Sequence, residues 1–285
     1  MSELKLADVT LFYNEVSPEN PRAVLVIVHG VSEHGGRYRL LQSDLAEAGF
    51  ASFAYDQRGF GQSTGRRTYA AHYTDFLNDL KAMIVVARNL HPGKPLVLIG
   101  HSFGGLVVTA FCIDFQKEIG TPTAVGTPTA VDGMILSAPA YAFVPLPAIL
   151  HFLGIALNRF FPTMRIRYPS DPDKLSHNPE IGIAIRADPL TQRHGTPRFY
   201  HALREMNAMV RNRAGQISLP TLILQGTDDT VVIPKGAQEL HDVIESDWKQ
   251  LIFYDQFYHE PFNEIGRDKV VSDVVCWLNN LLISK

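Results

Sequence analysis

The chain has 285 residues, 46% hydrophobic and 19% charged, which supplies one large core and argues against a disordered chain. Its 26 basic and 29 acidic residues leave a formal net charge of -3 with no run of Lys or Arg, so nothing electrostatic points to nucleic acid.

The opening stretch "MSELKLADVTLFYNEV" places Glu3, Asp8 and Glu15 among its apolar positions and lacks the unbroken apolar run of a secretory signal. Cys112 in "TAFCIDF" and Cys276 in "DVVCWLN" stand alone between apolar neighbours, with no CxxC spacing. Both are expected to be buried free thiols, and the chain an unprocessed cytoplasmic protein.

Short apolar, β-branched runs then recur: 23–30 ("AVLVIVHG"), 50–56 ("FASFAYD"), 95–100 ("PLVLIG"), 132–138 ("DGMILSA"), 220–226 ("PTLILQG") and 250–255 ("QLIFYD"). Near-continuous apolar strands are what a sheet buried on both faces requires, so the runs predict a parallel α/β sheet. "LLQSDLAEAGF", "YTDFLNDLKAMIVVARNL" and "GAQELHDVIES" read as crossover helices. Near the end Val270, Val274, Trp277, Leu278 and Leu281 recur at helical spacing. The alternation is that of a doubly wound fold.

Between the fourth and fifth runs about 80 residues pass, far longer than an ordinary crossover. The pattern divides the chain into a core, 1–138 with 216–285, and an inserted cap, 139–215. From Gly133 to Asn158 there is no Asp, Glu, Lys or Arg, long enough to raise a membrane span. Pro139, Pro145 and Pro147 oppose a regular spanning helix. An apolar cap over a site is expected instead, a plain core helix pair being the alternative; a lipid surface or a second copy of the chain would suit its apolar face. Just before it, "GTPTAV" at 120–125 is repeated at 126–131, too few and too short for a solenoid, and reads as a duplicated surface loop.

"GHSFGG" follows the third run and precedes the helix-like "GLVVTAFCI". Strand, Gly100, His101, Ser102, Phe103, Gly104, helix is the context in which GxSxG is a nucleophile elbow: the tight turn excludes side chains beside the serine and lifts its hydroxyl to a helix N-terminus. A serine hydroxyl needs a base, and the base an orienting acid. "LILQGTDDTVV" offers Asp228 and Asp229 after a strand, and "YHE" offers His259 after the last one. Spacing lets either aspartate reach, with Asp229 favoured. His241 lies within a helical pattern and is set aside. Oxyanion donors are expected from the amide of Phe103 and from the loop after "VLVIVHG", at Val31. The histidines form no ligand cluster, so His29 is read as shaping its loop and no metal is expected.

With those residues in place, the chain resembles the monoacylglycerol lipase and lysophospholipase group of serine α/β-hydrolases. "HGVSEHGGRY" (29–38), "YDQRGFGQS" (55–63), "GHSFGG", "LSHNPEIGIAIRADPL" (175–190), "LILQGTDD" and "YHE" carry the resemblance, which spans nearly the whole chain. It implies an α/β-hydrolase fold, a mostly parallel central sheet flanked by helices, with Ser102, Asp229 and His259 as triad, Val31 and Phe103 as oxyanion donors, and no cofactor. It also implies that Glu33 and Arg37 order the loop and the glycerol end of the pocket, an ion pair bracing the loop being the alternative. Two departures remove polar partners: Ile185 stands where mammalian members have a tyrosine, and Phe262 where they have a histidine three residues past the catalytic one.

The expected activity is hydrolysis of a monoacylglycerol ester through an acyl-enzyme, with the cap supplying an acyl tunnel. A general carboxylesterase or lysophospholipase is the alternative. Thioester or peptide substrates use the same triad. Dehalogenase and epoxide hydrolase chemistry on this fold wants an aspartate where Ser102 stands. A binding protein without turnover would show a broken triad.

Overall fold

Along Val24–Val28 (β3) every side chain is buried, and successive residues serve opposite faces of one sheet. Val24, Val26 and Val28 pack on one side, Leu25 and Ile27 on the other. The sequence expectation of strands sealed on both faces is met here and in Ala51–Tyr55 (β4), Leu96–His101 (β5) and Gly133–Ser137 (β6). The computed structural model describes residues 1–115, 130–143, 148–167 and 171–283.

Two further strands, Ser2–Lys5 (β1) and Thr10–Val16 (β2), precede β3. Later in the chain come Ile166–Arg167 (β7), His194–Gly195 (β8), Thr221–Gly226 (β9) and Lys249–Tyr254 (β10). The main sheet has eight strands in the order β1-β2-β4-β3-β5-β6-β9-β10, and β7 pairs with β8 as a separate ribbon. From β4 to β10 all neighbours run parallel, whereas β1 and β2 are antiparallel. The sheet is thus mostly parallel, as expected; β1 and β2 were not read from the sequence because both are short of buried residues and lack the continuous apolar signature of the interior strands.

Helices cover both faces. Arg39–Glu47 (α1) and Arg267–Ile283 (α8) close one side, where Leu41 and Leu45 meet Val274, Trp277 and Leu281 around the sheet. Thr74–Leu90 (α2) and Phe103–Asp114 (α3) close the other. Helix α3 is buried all round from Phe103 to Ile113, as a helix apolar on every side must be. Cys112 is buried on it, as expected. Cys276 is a correction: it is exposed on α8, off the stripe formed by Val270, Val274, Trp277 and Leu281.

Between β6 and β9 the chain forms Ala148–Phe160 (α4), Pro179–Ala187 (α5) and Pro197–Arg213 (α6), and Pro234–Val243 (α7) follows β9. The sheet closes directly across this stretch, with Met134 beside Thr221 and Ser137 beside Leu224. Thr196 caps α6 by accepting from the Phe199 amide, and Asn178 caps α5 by accepting from the Glu180 amide. Among the described residues no helix is long and apolar enough to cross a membrane. Most of the GTPTAV duplication lies outside the described residues.

Candidate active site

Ser102 sits between the last residue of β5 and the first of α3, at φ 52° and ψ -115°. A non-glycine residue there is strained by ~1–3 kcal/mol, and such strain persists only where neighbours enforce it. The neighbours are visible. The Ser102 amide donates to Ser137 O at 2.9 Å, and its carbonyl accepts from Leu106 N at 3.2 Å and Ala140 N at 3.0 Å. A methyl group on Gly104 would lie 2.0 Å from Val28 O, and one on Gly100 2.5 Å from Gly104 O. The glycines of GxSxG are therefore demanded by backbone packed against backbone.

His259 follows β10 and Asp229 follows β9, parallel neighbours whose ends lie side by side. The imidazole Nδ1 is 2.8 Å from Asp229 Oδ2, and both residues are buried. Asp229 Oδ1 accepts from the amides of Val231 at 2.8 Å and Val232 at 3.0 Å, while Gln225 Nε2 donates to Oδ2 at 3.0 Å. Burial resists ionisation of Asp229, but His259 and these donors outweigh it and hold the carboxyl below its usual range. Among the described residues the exposed Asp228 carboxylate accepts only a local bond from the Thr227 hydroxyl at 3.1 Å. Of the two aspartates, Asp229 is the one placed against His259.

The loop after β3 carries the second expected oxyanion donor. His29 is fully buried: Gln57 N donates to its Nε2 at 2.9 Å, so Nδ1 bears the proton and meets Gly30 O at 2.7 Å. Burial pulls its pKa down, as suits a neutral ring that shapes a loop. Ser32 adopts φ 72° just past Val31. Phe103, the first residue of α3, has an amide with no partner inside the helix, as every first-turn amide does.

Glu33 and Arg37 form the brace that was one of their two readings. Glu33 accepts from Gly30 N at 2.6 Å, the Tyr38 hydroxyl at 2.8 Å and Arg37 Nη1 at 2.9 Å. Arg37 also grips Glu260 with both Nη atoms, at 2.8 and 2.7 Å. Burial opposes the charge on Glu33, yet Arg37 above all keeps its pKa down at about 2. The His101 ring lies tilted against His259 with centroids 4.8 Å apart; burial, then His259, push its pKa down to about 4.

Chain from between β6 and β9 is sewn to the loops that carry Val31 and His259. On the Val31 side, His34 Nε2 meets Asp188 Oδ2 at 2.7 Å and Gln192 N donates to Ser32 O at 3.0 Å. On the histidine side, Glu260 N donates to Leu175 O at 2.9 Å and His177 stacks on Tyr258 at 3.7 Å. Buried Glu264 accepts from the amides of His177 at 2.8 Å and Tyr258 at 3.2 Å. Between these seams lies a cavity of about 670 Å³ lined by Ser102, His259, Val31, Glu33 and Arg37, with Leu175, Ile185 and Val231 as its apolar wall. Ile185 is therefore where it was expected, whereas Phe262 is buried and does not line this cavity.

Glu260, Asp188 and Glu264 received no role from sequence reasoning. Glu260 stood in plain view in "YHE", next to the proposed base. A carboxylate beside an apolar "PF" was the available signal, but its partner Arg37 is 223 positions away.

Fold and site together define a serine hydrolase of the α/β-hydrolase fold. The chain belongs to the Hydrolase_4 family, described as serine aminopeptidase, S33, which matches residues 19–266. It is 30% identical over 273 residues to a monoacylglycerol lipase of Mycolicibacterium smegmatis, covering 95% of this chain and 93% of that one. Phospholipase YtpA of Bacillus subtilis is 29% identical over 88% of this chain and 93% of its own. The crystal structure of the Paleococcus ferrophilus monoacylglycerol lipase superposes with a TM-score of 0.82 at 27% identity, covering 96% of this chain and 99% of that one.

Proposed function

We propose that the chain hydrolyses the ester bond of a monoacylglycerol, releasing fatty acid and glycerol through an acyl-enzyme on Ser102. The observation that carries this is the shared cavity: Ser102 and His259 line it, and Asp229 lies 2.8 Å behind the imidazole.

In this mechanism Ser102 Oγ attacks the ester carbonyl carbon while His259 Nε2 takes its proton. Asp229 accepts from Nδ1–H, holds the tautomer and stabilises the imidazolium that forms. The carbonyl oxygen becomes an oxyanion facing the amides of Val31 and Phe103. Collapse breaks the bond to glycerol, whose oxygen takes the proton from His259. Water, deprotonated by the same imidazole, then attacks the acyl carbon, and the acid leaves with Ser102 restored.

Residues 139–215 act as a cap in this reading, and α4 is its lipid-facing part. Phe152 is 69% exposed, Phe160 72% and Phe161 60%, with Leu153 and Ile155 exposed beside them. Such a face suits peripheral contact with a lipid surface by a protein working in the cytoplasm. Co-sedimentation with vesicles, lost in Phe152→Ser/Leu153→Ser, tests it; a dimer broken by the same changes would assign the face to a second copy instead.

The activity test is steady-state hydrolysis of 1-monoacylglycerols, lysophospholipids, diacylglycerols and p-nitrophenyl esters of graded chain length, with Ser102→Ala as blank. A maximum at medium or long monoacylglycerols is expected, each buried methylene adding about 0.8 kcal/mol. A flat or short-ester profile would make it a general carboxylesterase, and a maximum at lysophospholipids would favour the kind of substrate named for YtpA.

A further inference from the structure

Arg37 is a guanidinium in the wall of the catalytic cavity, the side chain best shaped to grip a phosphate. Both of its Nη atoms are already turned to carboxylates. Nη1 is shared by Glu33 Oε2 at 2.9 Å and Glu260 Oε1 at 2.8 Å, and Nη2 faces Glu260 Oε2 at 2.7 Å. Glu260 Oε2 also accepts from Asn263 Nδ2 at 2.8 Å. Both carboxylates are buried and one guanidinium lies between them, so this wall carries one negative charge in excess. At the rim Asp171 and Lys174 cancel.

The geometry points to Glu260 as a specificity-determining residue: it turns a phosphate-shaped wall into one that rejects anionic head groups and accepts uncharged ones. This rests on the ester-hydrolase reading above. The leaving alcohol must take its proton from His259, so its head group departs next to the following residue, Glu260. A phosphate ester on that alcohol brings its charge up to the surplus carboxylate in a partly dehydrated cavity, where like charges repel far more than in water. An uncharged glycerol meets no such penalty, and its hydroxyls can donate to the carboxylate oxygens. Rejection by an unpaired like charge needs no contact with the preferred substrate beyond that.

The test compares three octanoyl esters as monomers: 1-octanoylglycerol, 1-octanoyl lysophosphatidate, and 1-octanoyl lysophosphatidylcholine, in which choline offsets the phosphate. The wild type is expected to prefer octanoylglycerol over the lysophosphatidate in kcat/KM by on the order of tenfold or more, with the choline ester between them. Glu260→Gln leaves Arg37 one carboxylate and should shrink that ratio by on the order of tenfold, a quantity in which any general loss of activity cancels. Raising salt from about 0.02 to 0.5 M should shrink the wild-type ratio as well. Equal use of both esters by the wild type, or a ratio unmoved in Glu260→Gln, overturns the proposal. If Glu260→Gln does not fold, the salt titration decides: a salt-independent ratio overturns it. If octanoylglycerol is untouched while p-nitrophenyl octanoate is hydrolysed, the monoacylglycerol reading fails instead, and the charge ratio is read on phenyl octanoate against its 4-sulfonate.

Discussion

His34 and Asp188 are 154 positions apart and meet at 2.7 Å, Nε2 to Oδ2, tying the loop that offers the Val31 amide to the end of α5. The Gly36 amide donates to the other ring nitrogen, Nδ1, at 3.1 Å, which leaves Nε2 to carry the N–H that meets Asp188. Burial, though slight, opposes the charge on Asp188, but the Leu190 amide and then His34 lower its pKa. A partly exposed pair of this kind adds little to stability, ~0–1 kcal/mol, yet it anchors the loop whose Val31 amide is the proposed oxyanion donor. Asp188→Ala should therefore lower kcat on the order of ten- to hundredfold, with KM for a monomeric ester and the melting temperature almost unchanged. Steady-state kinetics beside thermal unfolding check this, and an unchanged kcat would refute it.

The two aspartates after β9 should separate sharply. Asp229→Asn keeps the shape but favours the wrong imidazole tautomer, and kcat should fall on the order of 10⁴-fold. Asp228→Asn, altering an exposed side chain bonded only to Thr227, should stay within about twofold of wild type. Similar losses in both variants would show that the assignment of the acid is wrong.

Buried histidine makes stability pH-dependent in a defined sense. His101 has an ordinary pKa of 6.5 when unfolded and about 4 when folded. Between these values the unfolded chain binds a proton that the folded chain refuses, so stability rises with pH across that window and is lost on acidification through it. His29 is shifted in the same direction. His101→Phe should flatten the profile from pH 4 to 6.5 by on the order of 3 kcal/mol, read from urea unfolding at graded pH. Parallel profiles for the two proteins would count against it.

Glycines with different surroundings should respond oppositely to one methyl group. Gly104→Ala drives a methyl to 2.0 Å from Val28 O, and should cost more than about 3 kcal/mol or prevent folding. Gly154→Ala on α4 places its methyl at an ordinary 3.6 Å from the Tyr200 ring, and should be neutral or add up to about 1 kcal/mol through helix propensity. Differential scanning calorimetry distinguishes the pair.

What could be read from the sequence was what is local. Strands β3, β4, β5, β6, β9 and β10 announced themselves by apolar runs, and Ser102 by a glycine-flanked turn whose context is contained in a dozen residues. The edge strands β1 and β2 escaped because half-exposed strands carry mixed composition, and Cys276 was misjudged because its apolar neighbours belong to the face of α8 that it does not share. Asp229 and Asp228 were indistinguishable by spacing, since only the side-chain direction after β9 separates them. The partners of Glu260, Asp188 and Glu264 were not legible for a different reason: each meets a residue across the fold, and no period or motif encodes such a meeting.

The sheet's direct closure from β6 to β9 makes the intervening chain an exchangeable cassette in principle, but its two ends are not equally free. Residues 175–177 and 188–192 hold the loops that carry His259 and Val31, so any graft must reproduce the backbone bonds at 175 and 192 and the side chains of His177 and Asp188. Helix α4 has none of these obligations among its described contacts. Evolution, or a designer, is therefore at liberty to rewrite α4 while α5 and its flanks stay constant, and diversity among such enzymes should accumulate on α4 first.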